Sequence, residues 1–107
     1  MDYIFPIHKE EYVIYTKTGC LYCDKAKELL KNEKVAFVNC DEYLKDNKQG
    51  FLDFIKLVSG GITQNTFPMV FHKGFLIGGY TETKTFYENQ NAFSFFDDDN
   101  SDKYKKK

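Results

Sequence analysis

Two cysteines three residues apart, Cys20 and Cys23, lie where a strand pattern gives way to a helical one. Residues 12–15 read Tyr-Val-Ile-Tyr and are all β-branched or aromatic, which is typical of a short buried strand. After the pair, apolar residues recur at helical spacing among Lys and Glu residues: Cys23, Ala26, Leu29 and Leu30. The sequence therefore predicts a strand, a turn and a helix over about residues 21–32, with both cysteines at the N-terminus of that helix.

The N-terminus of a helix favours a thiolate, because its unpaired amides and its positive dipole end attract negative charge. Cys20 is the better placed of the two thiols, and Lys17 lies close to it in the sequence. Such surroundings lower the pKa of a thiol from about 8.5 into the range of roughly 3.5–7.5. Cys23 lies almost one turn further along and is expected to be less exposed. We therefore predict that Cys20 attacks and that Cys23 can resolve the product.

Metal binding is the main alternative reading of a C-x-x-C pair. A structural zinc site needs four ligands, and the remaining candidates, Cys40, His8 and His72, do not form a second pair. Covalent haem is excluded because Asp24, not His, follows the second cysteine. We therefore predict redox chemistry and no metal site, with Cys40 acting as a small hydrophobic residue.

Composition limits the function classes further. The 107 residues suit one domain, and the net charge of −1 gives no electrostatic case for a nucleic-acid or membrane partner. The basic side chains besides His are all lysines, since the chain contains no arginine. The sequence shows no signal peptide and no run of transmembrane length, and three cysteines do not suit a secreted disulfide framework. We therefore expect a cytoplasmic protein.

The first half of the chain predicts a strand–helix–strand unit followed by a second helix. Residues 35–38 form another short apolar run, so the unit should contain a right-handed crossover and a parallel strand pair. Residues 41–50 are polar. A helical apolar stripe follows over residues 51–58 and stops at a glycine pair, which is typical of a helix C-cap.

The second half adds a hairpin and a final helix. Residues 69–71 and 75–77 are apolar runs on either side of a glycine-containing turn, which predicts two antiparallel strands. A helix is predicted from residue 81 to about residue 91, with Thr81 or Thr83 as its N-cap. The predicted order is β-α-β-α-β-β-α.

The ends of the chain carry fewer signals. We expect one domain over residues 1–96, with Ile4, Phe5 and Ile7 as candidates to cover an edge of the core. Residues 97–107 are a run of acids and then bases without apolar periodicity, which predicts a solvated, disordered tail.

Three stretches together resemble a glutaredoxin: Lys-Thr-Gly-Cys-Leu-Tyr-Cys at residues 17–23, Thr-Phe-Pro at 66–68, and Gly-Gly-Tyr-Thr-Glu at 78–82. The resemblance covers about residues 11–91. It implies an α/β chain with the thioredoxin-like fold, a mixed four-stranded sheet with helices on both faces. Thioredoxins share that fold but usually carry Trp before the first cysteine, and this chain has no Trp.

The resemblance also implies roles for individual residues. Cys20 matches the nucleophile and Cys23 the resolving thiol, while Pro68 matches a cis-proline beside the active site. Lys17 matches the residue near the glycine carboxylate of glutathione, and Glu82 one near the γ-glutamyl end. The residues that match the family's glutathione site are Lys17, Tyr22, Phe67, Pro68, Gly79, Thr81 and Glu82.

Two departures from the family pattern bear on function. Leu21 replaces the usual proline between the cysteines, so the redox potential is not carried over from the family. Leu52 stands where Gln or Lys commonly contacts the glycine carboxylate, although Gln49 or Lys56 could supply that contact instead. Residues 61–65 look like a small insertion.

The resemblance implies a monomeric, glutathione-dependent thiol–disulfide oxidoreductase that acts on disulfide-bonded or glutathionylated proteins. Two alternatives stay open at this point. The chain could be a thioredoxin-like reductant served by a reductase, or it could carry a [2Fe–2S] cluster shared between two subunits through Cys20 and glutathione. Turnover with glutathione would distinguish the glutathione-dependent enzyme from the thioredoxin-like reductant. Visible absorption after anaerobic purification would indicate the [2Fe–2S] carrier.

Overall fold

The computed structural model describes Phe5 and residues 11–99, with side chains as far as Gln90. The strands and helices follow the predicted order: β1 Tyr12–Thr16, α1 Leu21–Leu29, β2 Val35–Asn39, α2 Asp41–Val58, β3 Met69–His72, β4 Phe75–Gly78 and α3 Tyr80–Asp99. The four strands form one sheet in the order β2-β1-β3-β4. As predicted, β1 and β2 are parallel, while β3 is antiparallel to both β1 and β4.

Strand β1 lies in the middle of the core, and all five of its residues are buried. Because successive side chains of a strand point to opposite faces, β1 contributes to two apolar clusters. Val13 and Tyr15 belong to the cluster on the α2 side, whereas Tyr12 and Ile14 pack with residues of α1 and α3. The prediction of helices on both faces of the sheet is therefore confirmed.

Helix α2 begins at Asp41, well before the apolar stripe that predicted it. Its first part looked polar, but Tyr43 packs into the core from there. At Asn47 the backbone leaves helical geometry, with φ −161° and ψ 81°. The Asn47 Oδ1 accepts a hydrogen bond of 3.0 Å from the Gly50 N–H, which is the contact an N-cap makes at the start of a helix. The predicted helix over residues 51–58 is thus the second part of a longer, kinked element.

The C-terminus of α2 is closed by the predicted glycine pair. Gly60 has φ +82°, a left-handed conformation that glycine adopts without steric cost. The Gly61 N–H donates to the Lys56 carbonyl at 2.7 Å, and the Gly60 N–H donates to the Leu57 carbonyl at 3.3 Å. This pair of bonds is the Schellman motif, which satisfies carbonyls that a helix end leaves unpaired.

The predicted hairpin is present, with a two-residue turn between β3 and β4. Lys73 and Gly74 both have positive φ, 51° and 86°, as a type I′ turn requires. The twist of that turn matches the twist of the flanking strands, so a short loop suffices.

The two other helices differ from the prediction at their ends. Helix α1 stops at Leu29, three positions before the expected end, and α3 starts at Tyr80 and continues to Asp99 instead of ending near residue 91. The predicted threonine N-cap of α3 is wrong, because the cap lies at Gly79, whose N–H donates to the Glu82 Oε1 at 2.9 Å.

The predicted tail overlaps α3 at residues 97–99, and its remainder lies outside the described residues. The N-terminal candidates Ile4 and Ile7 also lie outside them, whereas the Phe5 ring meets the Phe54 ring edge-on at 5.2 Å between centroids. Among the residues that the structure describes, no helix has the length and apolar character needed to cross a membrane.

The cap at Asn47 leads to a prediction about stability. Asn47→Ala removes the acceptor for the Gly50 N–H, so we expect the free energy of unfolding to fall by about 1 kcal/mol, measured by urea denaturation. Asn32→Ala is the matched control, since Asn32 is exposed and its side chain has no hydrogen bond within the described part of the chain. Equal losses in the two variants would contradict the capping role.

Candidate active site

The cysteine pair lies where the sequence predicts it, at the N-terminus of α1. Cys20 is the N-cap residue, and its Sγ accepts a hydrogen bond of 3.1 Å from the Cys23 N–H. The two residues form a disulfide, with their Cα atoms 5.2 Å apart. Cys23 is 1% exposed, whereas Cys20 is only partly buried. The outer sulfur is therefore that of Cys20, which suits the predicted division into an attacking and a resolving thiol.

A groove of about 240 Å³ lies beside the start of α1 and collects residues from three separate parts of the chain. Its lining consists of Tyr22, Thr66, Phe67, Pro68, Gly79, Tyr80, Thr81 and Glu82. Six of these are residues that the resemblance assigns to a glutathione site. Thr66 and Tyr80 were not predicted as site residues, although both lie inside the quoted motifs.

The backbone geometry of the groove depends on a proline and two glycines. The Phe67–Pro68 peptide bond is cis, as the resemblance implies. Gly78 has φ +136°, and a Cβ there would lie 3.0 Å from the Cβ of Glu82, so a side chain does not fit. A Cβ on Gly79 would lie 3.7 Å from the Pro68 carbonyl oxygen. Gly78 therefore lets the backbone turn closely against Glu82 at the start of α3, whereas Gly79 lies at ordinary van der Waals distance from the proline segment.

Helix α3 presents its N-terminus to the groove. Glu82 accepts the Gly79 N–H, and the Thr83 Oγ1 donates to the Gly79 carbonyl at 2.7 Å. The Thr81 N–H belongs to the first turn, where amides have no acceptor within the helix. An amide in this position attracts anions, because the positive end of the helix dipole lies there.

Two aromatic contacts define the sides of the groove. Tyr22 is 53% exposed, and its ring centroid lies 5.8 Å from that of Tyr80. On the other side, the Lys17 Nζ lies 5.6 Å from the centroid of the Phe67 ring. Lys17 does not line the groove itself but is adjacent to a residue that does.

Asp41 is a site residue that the sequence analysis missed. Its carboxylate accepts two hydrogen bonds from Thr18 in the loop before Cys20, one from Oγ1 at 2.5 Å and one from the backbone N–H at 3.0 Å. These bonds, together with the charge of Lys17, hold the pKa of the Asp41 carboxyl below its usual range. The start of α2 is thereby tied to the loop that carries the reactive cysteine.

The other candidate side chains lie elsewhere. Cys40 is fully buried, and burial, with a smaller contribution from the Asp41 carboxylate, raises the pKa of its thiol to about 12. His72 lies at the far end of β3, where its Nε2 is 2.8 Å from a carboxylate oxygen of Glu11. His8 lies outside the described residues. Within the described part of the chain, no group of three or more His, Cys, Asp or Glu side chains is arranged to hold a metal ion.

Comparison with known proteins identifies relatives of this arrangement. The family model described as glutaredoxin matches residues 12–77. A mitochondrial glutaredoxin-2 from Pongo abelii is 35% identical over 71 residues, which are 66% of this chain and 42% of that protein. Glutaredoxin 1 from Rickettsia typhi is 33% identical over 69 residues, which are 63% of this chain and 61% of that protein. This chain therefore matches less than two thirds of the length of these relatives.

Solved structures agree with the fold. Glutaredoxin 1 from Francisella tularensis, complexed with cacodylate, has a TM-score of 0.62 and 28% sequence identity, covering 76% of this chain and 95% of its own. A glutaredoxin–glutathione complex from buckwheat has a TM-score of 0.63 at 22% identity, covering 79% of this chain and 74% of its own. The second likeness concerns the fold alone.

The Asp41 anchor predicts a pH dependence of stability. Since the folded-state pKa of Asp41 lies below its unfolded value, its contribution is present above about pH 4 and is lost as the pH falls through the folded-state pKa. Asp41→Asn keeps an acceptor but no charge. We expect it to melt below the wild type at pH 7, with the difference shrinking as the pH falls below the unfolded-state pKa and through the lowered folded-state pKa.

Glu42→Gln is the matched control for this experiment. It removes a carboxylate from the same first turn of α2, but Glu42 makes no hydrogen bond or ion pair to the Thr18 loop within the described residues. If Glu42→Gln produced the same pH-dependent loss in melting temperature, the helix dipole and not the Thr18 bonds would be the cause.

Proposed function

Because the chain belongs to the glutaredoxin family, a family of thiol–disulfide oxidoreductases, we propose that it reduces glutathionylated and disulfide-bonded proteins at the expense of glutathione. The observation that carries the proposal is the Cys20–Cys23 disulfide at a helix N-terminus, next to a groove formed by six of the residues expected to bind glutathione. The match of these groove residues to the glutathione site of the family supports the choice of cosubstrate.

The proposed reaction with a glutathionylated protein needs only one thiol. The Cys20 thiolate attacks the glutathione sulfur of the mixed disulfide, so the protein leaves as a thiolate and Cys20 becomes glutathionylated. A second glutathione thiolate then attacks the sulfur of that glutathione, which releases glutathione disulfide and restores the Cys20 thiolate. The helix N-terminus stabilises Cys20 as the leaving thiolate in this step, because a thiol of low pKa leaves faster.

The proposed reaction with a protein disulfide uses both cysteines. Cys20 attacks one sulfur and forms a mixed disulfide with the substrate, and Cys23 then displaces the substrate by attacking Cys20. The product is the Cys20–Cys23 disulfide, which two glutathione molecules reduce to the dithiol while forming glutathione disulfide. Cys23 is buried and one helical turn from Cys20, so it is placed to attack Cys20 and shielded from other disulfides.

The groove suits an extended, zwitterionic peptide. The first-turn amide of Thr81 would receive the γ-glutamyl carboxylate, and Glu82 would lie near the ammonium group. The backbone beside Pro68 would pair with the cysteinyl residue in the manner of an added strand. Lys17 would face the glycine carboxylate, and it would be the main cation to do so.

Cysteine variants test the proposed roles. We expect Cys20→Ser to abolish glutathione-coupled reduction of glutathionylated substrates, measured as NADPH oxidation with glutathione reductase, because no other described thiol is both exposed and at a helix start. Cys23→Ser should retain appreciable activity on those substrates but lose more on a protein disulfide such as insulin. Cys40→Ala is the control, because it removes a thiol that has no role in the proposed reaction. Its activity on both substrates should equal that of the wild type.

Two outcomes would overturn the proposal. Activity of Cys20→Ser, or identical behaviour of the Cys20 and Cys23 variants on both substrates, would contradict the assigned roles. Turnover with a flavoenzyme thioredoxin reductase but none with glutathione would favour the thioredoxin-like alternative.

Leu52 gives a second test, because it places a partly buried apolar side chain where a polar contact to glutathione is expected. Of the two neighbours that could compensate, one is hydrogen-bonded to another side chain and the other lines a different recess. The Gln49 amide donates to Asp53 at 2.9 Å, and Lys56 lines a separate recess with Gly60 at the C-terminal end of α2.

We therefore expect weak glutathione binding that Leu52→Gln improves. A charge-assisted hydrogen bond contributes about 1.5–3 kcal/mol, so the KM for the glutathionyl substrate should fall by about tenfold or more, with little change in kcat. Gln49→Ala and Lys56→Ala are the controls and should leave KM unchanged. If Leu52→Gln had no effect while either control raised KM, the placement of this helix relative to the ligand would be wrong.

A further inference from the structure

The side chain of Phe67 connects the groove to the core. Its ring is nearly parallel to that of Phe51, with 6° between the planes and 6.2 Å between the centroids. The Lys17 Nζ lies 5.6 Å from the same ring. Since Phe51 is fully buried and Lys17 is exposed, these two residues contact Phe67 from the core side and from the solvent side.

The ring below Phe67 is held on several sides. Phe51 stacks on Tyr43 with 5.4 Å between centroids and 21° between planes, and it lies 6.1 Å from the ring of Tyr15 on β1. Buried aromatic side chains in such arrangements are fixed by close packing. The Phe67 ring therefore stacks on a core ring that is itself held by close packing.

Lys17 experiences attraction from two directions. The first is the Asp41 carboxylate, whose pKa the nearby charge of Lys17 helps to lower. Asp41 is bonded to the Thr18 loop, so this attraction acts toward that loop. The face of the Phe67 ring attracts the ammonium on the side of the groove, because an aromatic ring carries negative charge on its face. Lysine is otherwise a flexible side chain with many rotamers, so a fixed ring restricts where its charge is found.

We propose that the Phe67 ring is a positioning element that holds the Lys17 ammonium toward the groove, ready for the carboxylate of the glutathionyl ligand. This role is additional to the backbone pairing expected beside Pro68. It rests on the proposed function, in which Lys17 faces the glycine carboxylate. The chain has no arginine, and Leu52 stands where the resemblance expects a polar contact to that carboxylate, so in this proposal the binding of the carboxylate depends on where Lys17 is held.

Steady-state kinetics with a glutathionylated peptide test the proposal. Phe67→Leu keeps an apolar side chain but removes the ring face, so we expect KM for the peptide to rise about two- to fivefold with little change in kcat. Phe67→Tyr keeps the ring face, so its KM for the peptide should be that of the wild type. Phe75→Leu removes an aromatic ring that is 78% exposed at the hairpin and serves as the matched control.

The same substitution in a Lys17→Gln background separates positioning from direct contact. If the ring acts through Lys17, Phe67→Leu should add no further increase in KM once the ammonium is gone. An equal increase in both backgrounds would overturn the proposal, because the ring would then act on the peptide directly. An unchanged KM in Phe67→Leu, with a raised KM in Lys17→Gln, would overturn it as well.

A measurement on the unmodified protein keeps the test independent of whether Phe67→Leu folds. The ε-methylene protons of Lys17 should show an upfield ring-current shift in the NMR spectrum of the wild type, relative to the other lysines, and Phe67→Tyr should retain it. Lys17 protons without that shift would overturn the proposal. The proposed function is tested separately by measuring turnover of the wild type with glutathione. A protein without that turnover would refute the proposed reaction, whether or not Lys17 shows the ring-current shift.

Discussion

The directions of the four strands bring every part of the active site to one end of the sheet. Strand β1 ends before Cys20, and β2, which is parallel to it, ends before Asp41. Strand β3 runs in the opposite direction, so its first residue, which follows Pro68, lies at this end of the sheet. Strand β4 reverses again and ends at Gly78. Residues far apart in sequence are therefore neighbours because of backbone pairing, and the buried strand β1 fixes the position of the reactive loop relative to all of them.

Much of this fold could be predicted from local patterns. The apolar strands, the C-x-x-C turn and the glycine hairpin each carry their signal within a few residues, and the glycine pair after α2 forms the cap that it predicts. The first part of α2 could not be predicted this way. Its residues are polar and it is held by the burial of Tyr43, while the bond from the Gly50 N–H to Asn47 caps the start of the second part. Neither contact leaves an apolar period in the sequence. The cap of α3 differs from the predicted threonine because Gly79 occupies the N-cap position, and Glu82, three residues later, accepts its N–H as in a capping box that lacks Ser or Thr.

Some residues of the site could likewise be predicted from local sequence patterns, and others could not. The reactive cysteines follow from the strand, the turn and the helix dipole, whereas the groove residues came from motif resemblance, since no local rule connects Tyr22 with Glu82. Neither route finds Asp41 or the ring of Phe67. The bond from Thr18 to Asp41 spans 23 positions, and the contact of Lys17 with Phe67 depends on a stack whose other members lie on α2 and β1. Such residues act on the site by fixing the orientation of a loop or a cation, and their chemistry becomes visible only in three dimensions.

Cys40 shows which part of the helix-dipole argument decides reactivity. It is the N-cap residue of α2, just as Cys20 is the N-cap residue of α1, so both thiols lie at a positive helix end. Yet the Cys40 sulfur makes no capping bond; it donates to the Val38 carbonyl at 3.5 Å, and burial raises the pKa of its thiol to about 12. The cost of removing a thiolate from water thus exceeds what the dipole supplies. Position at a helix N-terminus is therefore not sufficient for a reactive thiol in this protein, and Cys20 differs from Cys40 in its partial exposure and in its bond from the Cys23 N–H.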